Sequence, residues 1–249
     1  MDTQKEITIR IIFIAAGLLF IIASYFIYSF IKQQRKIMAW QKLRIQAEIE
    51  SIENERKRIA GDLHDELGPI LSAVRLQINH LEPTDETEQA VLQKSTMQID
   101  EVIKRFREIS YDLLPNTLVR KGLIKAIEEF AYRMSETSKL RIDLTMDTVK
   151  LEPLQEINFY RIIQEIIHNT IKHAQASLLC IEIRENNQLI YLSTKDDGVG
   201  FNYQEKSAAS GGLGLLNLQS RVEVLNGQLT VSSSHGKGTI FNIEIPNKQ

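Results

Sequence analysis

Residues Ile11–Ile31 read IIFIAAGLLFIIASYFIYSFI, 21 positions without a charge. At about 1.5 Å per residue a helix of that length spans about 31 Å, the thickness of a bilayer core. A secretory signal peptide is the competing reading. Its apolar region runs about 7–15 residues and ends at a small-residue cleavage site, which this run does not match. A membrane α-helix is expected, with Tyr25 and Tyr28 near one interface. From residue 32 the period becomes helical and amphipathic. Ile45, Ile49, Ile52, Ile59, Leu63, Leu67, Ile70, Val74, Ile78 and Leu81 recur mostly at steps of three, four or seven, a stripe along one long helix. Glu82-Pro83-Thr84-Asp85 interrupts it with turn chemistry. A second stripe, Val91, Ser95, Gln98, Val102, Phe106, Ile109 and Leu113, ends at Leu114-Pro115. These two helices predict an α-helical hairpin. One hairpin cannot bury both stripes, so two chains are expected to form a dimeric four-helix bundle.

After Pro115 helices and strands alternate. A helical stretch over Gly122–Ser138 precedes the alternating run Leu140–Met146. A helix begins near Glu152-Pro153 and runs to about Ala174. Strands follow at Ser177–Arg184 and Leu189–Thr194, then a Gly-rich loop and a helix near Leu213–Leu225. Strands at Gln228–Ser233 and Thr239–Ile245 close the pattern. The mixture predicts an α+β two-layer sandwich with helices on one sheet face.

Charge adds an orientation. Lys32, Arg35, Lys36, Lys42 and Arg44 follow the apolar run with no acidic residue before Glu48. By the positive-inside rule everything after residue 31 lies in the cytoplasm, leaving about ten residues outside, too few to fold. The expectation is a single-pass protein of the cell membrane with no extracytoplasmic sensor domain and a cytoplasmic catalytic part. The formal net charge of −2, from 30 basic and 32 acidic residues, gives no reason to expect direct nucleic-acid binding. The single cysteine, Cys180, lies in an apolar strand and is expected to be buried and reduced.

Four constellations carry candidate chemistry. The first is ERKRIAGDLHD, residues 55–65. His64 follows Leu63 on the stripe, so its ring should flank the bundle seam with access to solvent. A lone histidine on a helix is usually only a surface residue. Here Asp65 follows and cations precede, the surroundings of a phosphate-accepting imidazole. A carboxylate holds one ring nitrogen as N–H and leaves the other lone pair free to attack. The second is QEIIHNTIKHA, residues 164–174, which puts Glu165, Asn169, Lys172 and His173 at i, i+4, i+7 and i+8. That line of oxygen ligands and cations suits Mg²⁺ and a polyphosphate better than a plain solvated face. The third is DDGVGF, residues 196–201, directly after a strand, where Asp196 can accept from an exocyclic amine while Gly198 and Gly200 let backbone approach a planar base. The fourth is GGLGL, residues 211–215, opening a helix whose free N–H groups suit phosphates. Each of the last two alone is weak. Neither a Walker A pattern nor G-x-G-x-x-G occurs.

In this order, with Gly236-Lys237-Gly238-Thr239 behind them, the motifs resemble sensor histidine kinases of two-component systems. The resemblance is to the subfamily whose dimerisation helix reads ERxRIAxxLHD, as in nitrate-sensing and degradation-control kinases, and it covers about residues 50 to 246. It implies ATP and Mg²⁺ as cofactors and a fold shared with gyrase and mismatch-repair ATPases. His64 would be the phosphoacceptor and Asp65 its orienting base. Asn169 would hold Mg²⁺ with Glu165 assisting, and Lys172 and His173 would contact phosphates. Asp196 would bind the adenine amine beside Gly198 and Gly200. Gly212 and Gly214 would flank the phosphates under a mobile lid at 202–210, and Thr239 would lie near adenine. The implied organisation is a short extracytoplasmic segment (1–10), a transmembrane helix (11–31), a signalling helix (32–54), a dimerisation and phosphotransfer hairpin (55–116) and an ATP-binding domain (120–249). The implied partners are a second copy and a response regulator of the DNA-binding helix-turn-helix type.

The sequence departs from the pattern at Gly61, where Arg is frequent, at Thr170 for Ala, and at Pro69, where this subfamily often has Gln. Neither Pro69 nor Gly68 offers a side-chain group to orient water on an aspartyl phosphate, so weak phosphatase activity is expected. Pro69 should also kink the helix one turn past His64. Two other readings compete. A serine kinase of the same ATPase superfamily needs neither His64 nor a hairpin, and a non-catalytic ATP-binding scaffold would lack a nucleotide-box residue.

Overall fold

The computed structural model describes residues 2–186, 188–202 and 213–247, with side chains from residue 17 onward apart from those of His64, Asn116 and Leu213. The chain divides into two compact units, 1–48 and 49–249. The first lies within the long helix α1 (Asp2–Asp62). Among the described residues no helix is long and apolar enough to cross a membrane. The side chains of 11–16, part of the apolar run, lie outside that description.

In the second unit, a π-helical turn (Leu63–Leu67) follows α1, and α2 (Gly68–Asn79) follows the turn. The turn stands directly before Pro69, where a kink is expected from sequence. Proline donates no N–H to the carbonyl of Asp65, and a wider turn absorbs the missing bond. His64 lies in that turn. The hairpin closes through residues 80–85. Asp85 caps α3 (Glu86–Leu113) by accepting from the Glu88 N–H at 2.8 Å, and the Glu88 carboxylate accepts from the Thr84 N–H at 2.8 Å.

The apolar stripes of the hairpin divide between two faces. Leu71 and Ile78 on α2, and Leu92, Ile99, Ile103 and Phe106 on α3, are half-buried. Ile70, Val74, Val91, Val102 and Ile109 stay exposed, Ile109 at 56% and Val91 at 60%. The apolar band is wider than one hairpin can cover.

The mixed layer begins with a short helix the sequence reading did not foresee, α4 (Asn116–Lys121), followed by α5 (Leu123–Thr137) and β1 (Arg141–Met146). Helix α6 (Pro153–Asn169) starts where Glu152-Pro153 signals it, with a reciprocal cap between Glu152 and Gln155. A π turn (Thr170–Ala174) ends α6, and Gln175 leaves it in the left-handed region at φ 52°. Strands β2 (Leu178–Asn186) and β3 (Leu189–Asp196), helix α7 (Leu213–Val224), and strands β4 (Gln228–Ser233) and β5 (Thr239–Pro246) complete the layer. The sheet order is β1-β2-β3-β5-β4, with β1 parallel to β2 and the other pairs antiparallel.

Strand period two settles which side chains enter the core. Leu179, Ile181 and Ile183 on β2, Ile190 and Leu192 on β3, and Ile243 and Ile245 on β5 are buried. They meet Ile127 and Phe130 of α5 and Phe159, Ile162, Ile163, Ile166 and Ile167 of α6. The same alternation corrects one expectation. Cys180 lies between Leu179 and Ile181, so it points to the opposite face and is exposed.

The hairpin and the mixed layer share a polar junction. Glu53 of α1, 8% exposed, accepts from Arg161 of α6 and Arg221 of α7. Arg161 also donates to the carbonyls of Asp112 and Leu113, each at 2.7 Å, satisfying the open end of α3. Beside it the Tyr111 hydroxyl is hydrogen-bonded to Thr117 and Glu129, with the Arg133 guanidinium 3.7 Å over its ring.

Candidate nucleotide site

A cavity of about 230 Å³ opens where the ends of α6 and β3 meet the starts of β5 and α7. Asn169, Thr170, His173, Ala174, Asp196, Gly200, Phe201, Gly214, Leu215, Thr239 and Phe241 line it. Its walls divide by chemistry, with Ala174, Leu215, Phe201 and Phe241 apolar and Asn169, Asp196 and Thr239 polar. That is the composition of a small-molecule pocket with a few placed polar groups.

Asp196 ends β3 and is 4% exposed. Its Oδ1 accepts from the Gly198 N–H at 2.9 Å and the Thr239 N–H at 3.2 Å. The Thr239 side chain adds a further hydrogen bond to the carboxylate, which stands in the cavity wall as an acceptor. Burial, aided by the charge of Asp197, pushes its pKa up against the pull of the two backbone N–H groups and the Thr239 side chain. Neighbouring Asp197 is different. It accepts from Ser177 Oγ and from the N–H groups of Ser177 (2.8 Å) and Leu178 (2.9 Å), and these bonds, the Ser177 hydroxyl foremost, hold its pKa below the usual carboxylate range. One carboxylate of the pair ties down the strand end while the other faces the cavity.

Glu165 and Asn169 meet one turn apart on α6. The Asn169 amide donates to Glu165 Oε1 at 3.0 Å, which leaves Asn169 Oδ1 free as a hard oxygen donor. Gly214 lets α7 close over them, because a Cβ there would collide with Glu165 Oε1. Gly200 turns at φ +59°, and its Cβ would strike the Ser234 carbonyl. Among the described residues no group of three or more His, Cys, Asp or Glu side chains could hold a metal ion. The Asn169 amide oxygen and the Glu165 carboxylate are hard oxygen donors, which fit Mg²⁺ in the way such ions usually bind, through one or two protein oxygens with the remaining ligands from phosphate and water.

Of the residues singled out in the sequence, Asn169, His173, Asp196, Gly200, Gly214 and Thr239 come together around the cavity. Glu165 touches it through Asn169, and Gly198 through Asp196. Lys172 does not line it and is exposed. The proposed line of Glu165, Asn169, Lys172 and His173 assumes an α-helix to residue 174. The helix gives way to a π turn after Asn169, and the changed pitch brings His173 to the cavity while Lys172 falls outside. Gly212 and lid residues 203–210 lie outside the described residues, as does the His64 side chain. Asp65 is exposed in the π turn and is not among the residues that line the cavity. Sequence reading missed the apolar walls. Phe241 could be found from the inward phase of β5, but Leu215 has no signal apart from its position at a helix start.

Comparison with known proteins bears on this arrangement. The family described as histidine kinase (HisKA_3) matches residues 55–118. The family described as histidine kinase-, DNA gyrase B-, and HSP90-like ATPase matches residues 154–249. The chain is 32% identical over 203 residues to sensor histidine kinase ComP of Bacillus subtilis, covering 78% of this chain and 26% of that protein. It is 26% identical over 219 residues to the oxygen sensor histidine kinase NreB of Staphylococcus carnosus, covering 86% and 62%. The chain thus spans about a quarter and under two thirds of these relatives. In structure it is similar to the histidine kinase domain of a blue-light activated kinase from Erythrobacter litoralis EL346, with TM-score 0.50, 18% identity, and 78% and 94% coverage. That likeness speaks to fold alone.

Proposed function

We propose, from the premise that the chain belongs to the sensor histidine kinases whose dimerisation helix is of the HisKA_3 type, that it autophosphorylates His64 from ATP and passes the phosphoryl group to an aspartate of a response regulator. The observation that carries the reading is the cavity between α6 and α7, where a buried acceptor at Asp196 and an oxygen donor at Asn169 sit in one chain with the ERKRIAGDLHD helix. The Asp196 carboxylate would accept from the adenine amine, and Thr239 closes the same wall. Asn169 Oδ1, supported by Glu165, would hold Mg²⁺. Bound Mg²⁺ supplies neutralisation of the charge that develops on the transferring phosphoryl group. His64, oriented by Asp65, presents a ring nitrogen in line with the γ-phosphorus. The N–P bond forms as the bond to the bridging oxygen breaks, and ADP leaves. A regulator aspartate then takes the phosphoryl from the imidazole, restoring His64.

The remaining parts of the reading rest on pattern. The exposed apolar positions of the hairpin support a homodimer, and the 11–31 run with its cationic flank supports a single-pass anchor with the catalytic part in the cytoplasm. A helix-turn-helix regulator is proposed from the subfamily resemblance, with DNA as that partner's ligand.

The test incubates the membrane-reconstituted full chain with γ-labelled ATP and Mg²⁺. Label that is acid-labile and base-stable, and absent in His64→Ala, is expected. Label that survives His64→Ala, or acid-stable label, refutes the reading in favour of a serine kinase. No label at all supports a scaffold.

A further inference from the structure

The structure holds a charged cluster that the nucleotide chemistry does not use. The Glu53 carboxylate, its side chain 7% exposed, faces the guanidinium groups of Arg161 (2% exposed) and Arg221 (12%). Oε2 accepts from Arg161 Nε at 3.1 Å and Nη2 at 3.0 Å, and Oε1 accepts from Arg221 Nη2 at 2.7 Å. Gln164 Oε1 takes a further bond from Arg161 at 2.7 Å, and Asn158 Oδ1 one from Arg221 at 2.8 Å. Arg56 stands at the edge, 3.8 Å from Glu53 and half-exposed. Burial lowers the pKa of Arg221 and of Arg56, the mark of cations drawn out of water.

The three members, Glu53 and Arg161 buried and Arg221 half-buried, come from three elements that each carry or adjoin part of the phosphotransfer machinery. Glu53 lies eleven residues before His64, on α1 about two and a half helical turns before the π turn that carries the phosphoacceptor. Arg161 lies eight residues before Asn169 on α6, about 12 Å, and Arg221 seven residues after Gly214 on α7, about 10 Å. One carboxylate therefore ties the helix that leads into the phosphoacceptor turn to both helices that frame the nucleotide cavity. A buried ion cluster contributes little net stability against apolar packing, but breaking it leaves uncompensated charge, so its main effect is on register.

We propose that Glu53 is a positioning residue for phosphotransfer: by bridging Arg161 and Arg221 it docks the ATPase layer onto the dimerisation helix at the height that aligns the cavity with His64. The proposal rests on the kinase reading, but the docking it describes has a readout that needs no catalysis. Glu53 touches neither nucleotide nor His64, and acts through the two arginines. Without it two guanidinium groups face each other with no carboxylate between them, and the layer leaves its place. Effective molarity at the imidazole then falls while the nucleotide pocket stays whole.

The experiment compares wild type with Glu53→Gln, Arg221→Gln and the double variant in the full chain. Amide hydrogen exchange without nucleotide is expected to show lost protection around residues 49–59, the first half of α6 and the end of α3 in each variant, with the sheet unchanged. The double variant should lose no more than the larger single effect, because both act through one contact. In ATP-dependent labelling, the maximal rate is expected to fall about tenfold or more with the KM for ATP within about twofold, since orientation and not binding is lost. Glu53→Asp should recover part of the rate. Unchanged exchange overturns the docking role. A KM rise at unchanged maximal rate overturns it in favour of an effect on the pocket, and a faster rate shows that the contact restrains the kinase. If wild type does not label, the kinase reading fails, and the exchange result still decides the docking.

Discussion

Asp196→Asn isolates the part of the pocket that reads the base. The substitution keeps size and shape and changes one oxygen to an N–H₂. Two backbone N–H groups, Gly198 at 2.9 Å and Thr239 at 3.2 Å, already point at Oδ1, so the amide oxygen must stay there. The nitrogen then takes the place of Oδ2, and an acceptor facing the adenine amine becomes a donor. A hydrogen bond to a charged group contributes about 1.5–3 kcal/mol, so the loss amounts to about ten- to hundredfold in ATP affinity. The fold should not suffer, because burial holds the Asp196 pKa up and a neutral amide removes a charge that the site disfavours. Isothermal titration with ATP and Mg²⁺ measures the affinity, and thermal melting without nucleotide checks the fold. An affinity within twofold of wild type in a normally melting variant would mean that Asp196 does not read the base.

Other outcomes are equally specific. Asn169→Ala should remove Mg²⁺-dependent ATP binding and labelling while leaving the dimer intact by light scattering, because the hairpin does not use that side chain. Val102→Lys with Ile109→Lys, both exposed on a single chain, should give monomers that bind ATP but label poorly; a fully active monomer contradicts the bundle. His168 packs edge-on to Phe130 with centroids 5.5 Å apart, and burial lowers its pKa. The folded state then binds fewer protons than the unfolded one, so this stability is present above the ordinary value of 6.5 and is lost as pH falls below it. The melting temperature should therefore drop less between pH 7.5 and 5 in His168→Gln than in wild type. With Gly68 and Pro69 where water-orienting side chains would stand, added protein and ADP should speed decay of a phosphorylated regulator by less than about tenfold over spontaneous hydrolysis, the scale of a weak general catalyst.

Much of the fold is local, and that part was readable. The Glu152-Pro153 start of α6, the turn before α3 and the strand spans of β2 to β5 follow from caps, proline and period two. What failed was non-local or involved a change of pitch. The π turn after Asn169 cannot be read from a helical wheel, which puts Lys172 in line with Asn169 whereas the structure leaves it out of the cavity lining. The apolar run around Cys180 suggests burial, whereas the phase of Leu179 and Ile181 turns it outward. A helical period gives each hairpin stripe as a single line, but neighbouring positions differ, with Leu71 and Ile103 half-buried while Ile70 and Val102 stay uncovered. At the site, motifs led to Asn169, Asp196 and Thr239, but the bridge from Glu53 to Arg161 and Arg221 spans 108 and 168 positions of sequence and obeys no spacing.

Mapping the phosphorylated position tests the central claim most directly. The full chain is mixed with ATP and Mg²⁺, digested at neutral pH to preserve an N–P bond, and the peptides are sequenced by mass spectrometry. One phosphoryl group is expected, on the imidazole of His64, and none in Asp196→Asn at low ATP. A phosphoryl group on a serine, threonine or different histidine, or on His64 at wild-type yield in Asp196→Asn at low ATP, would contradict it.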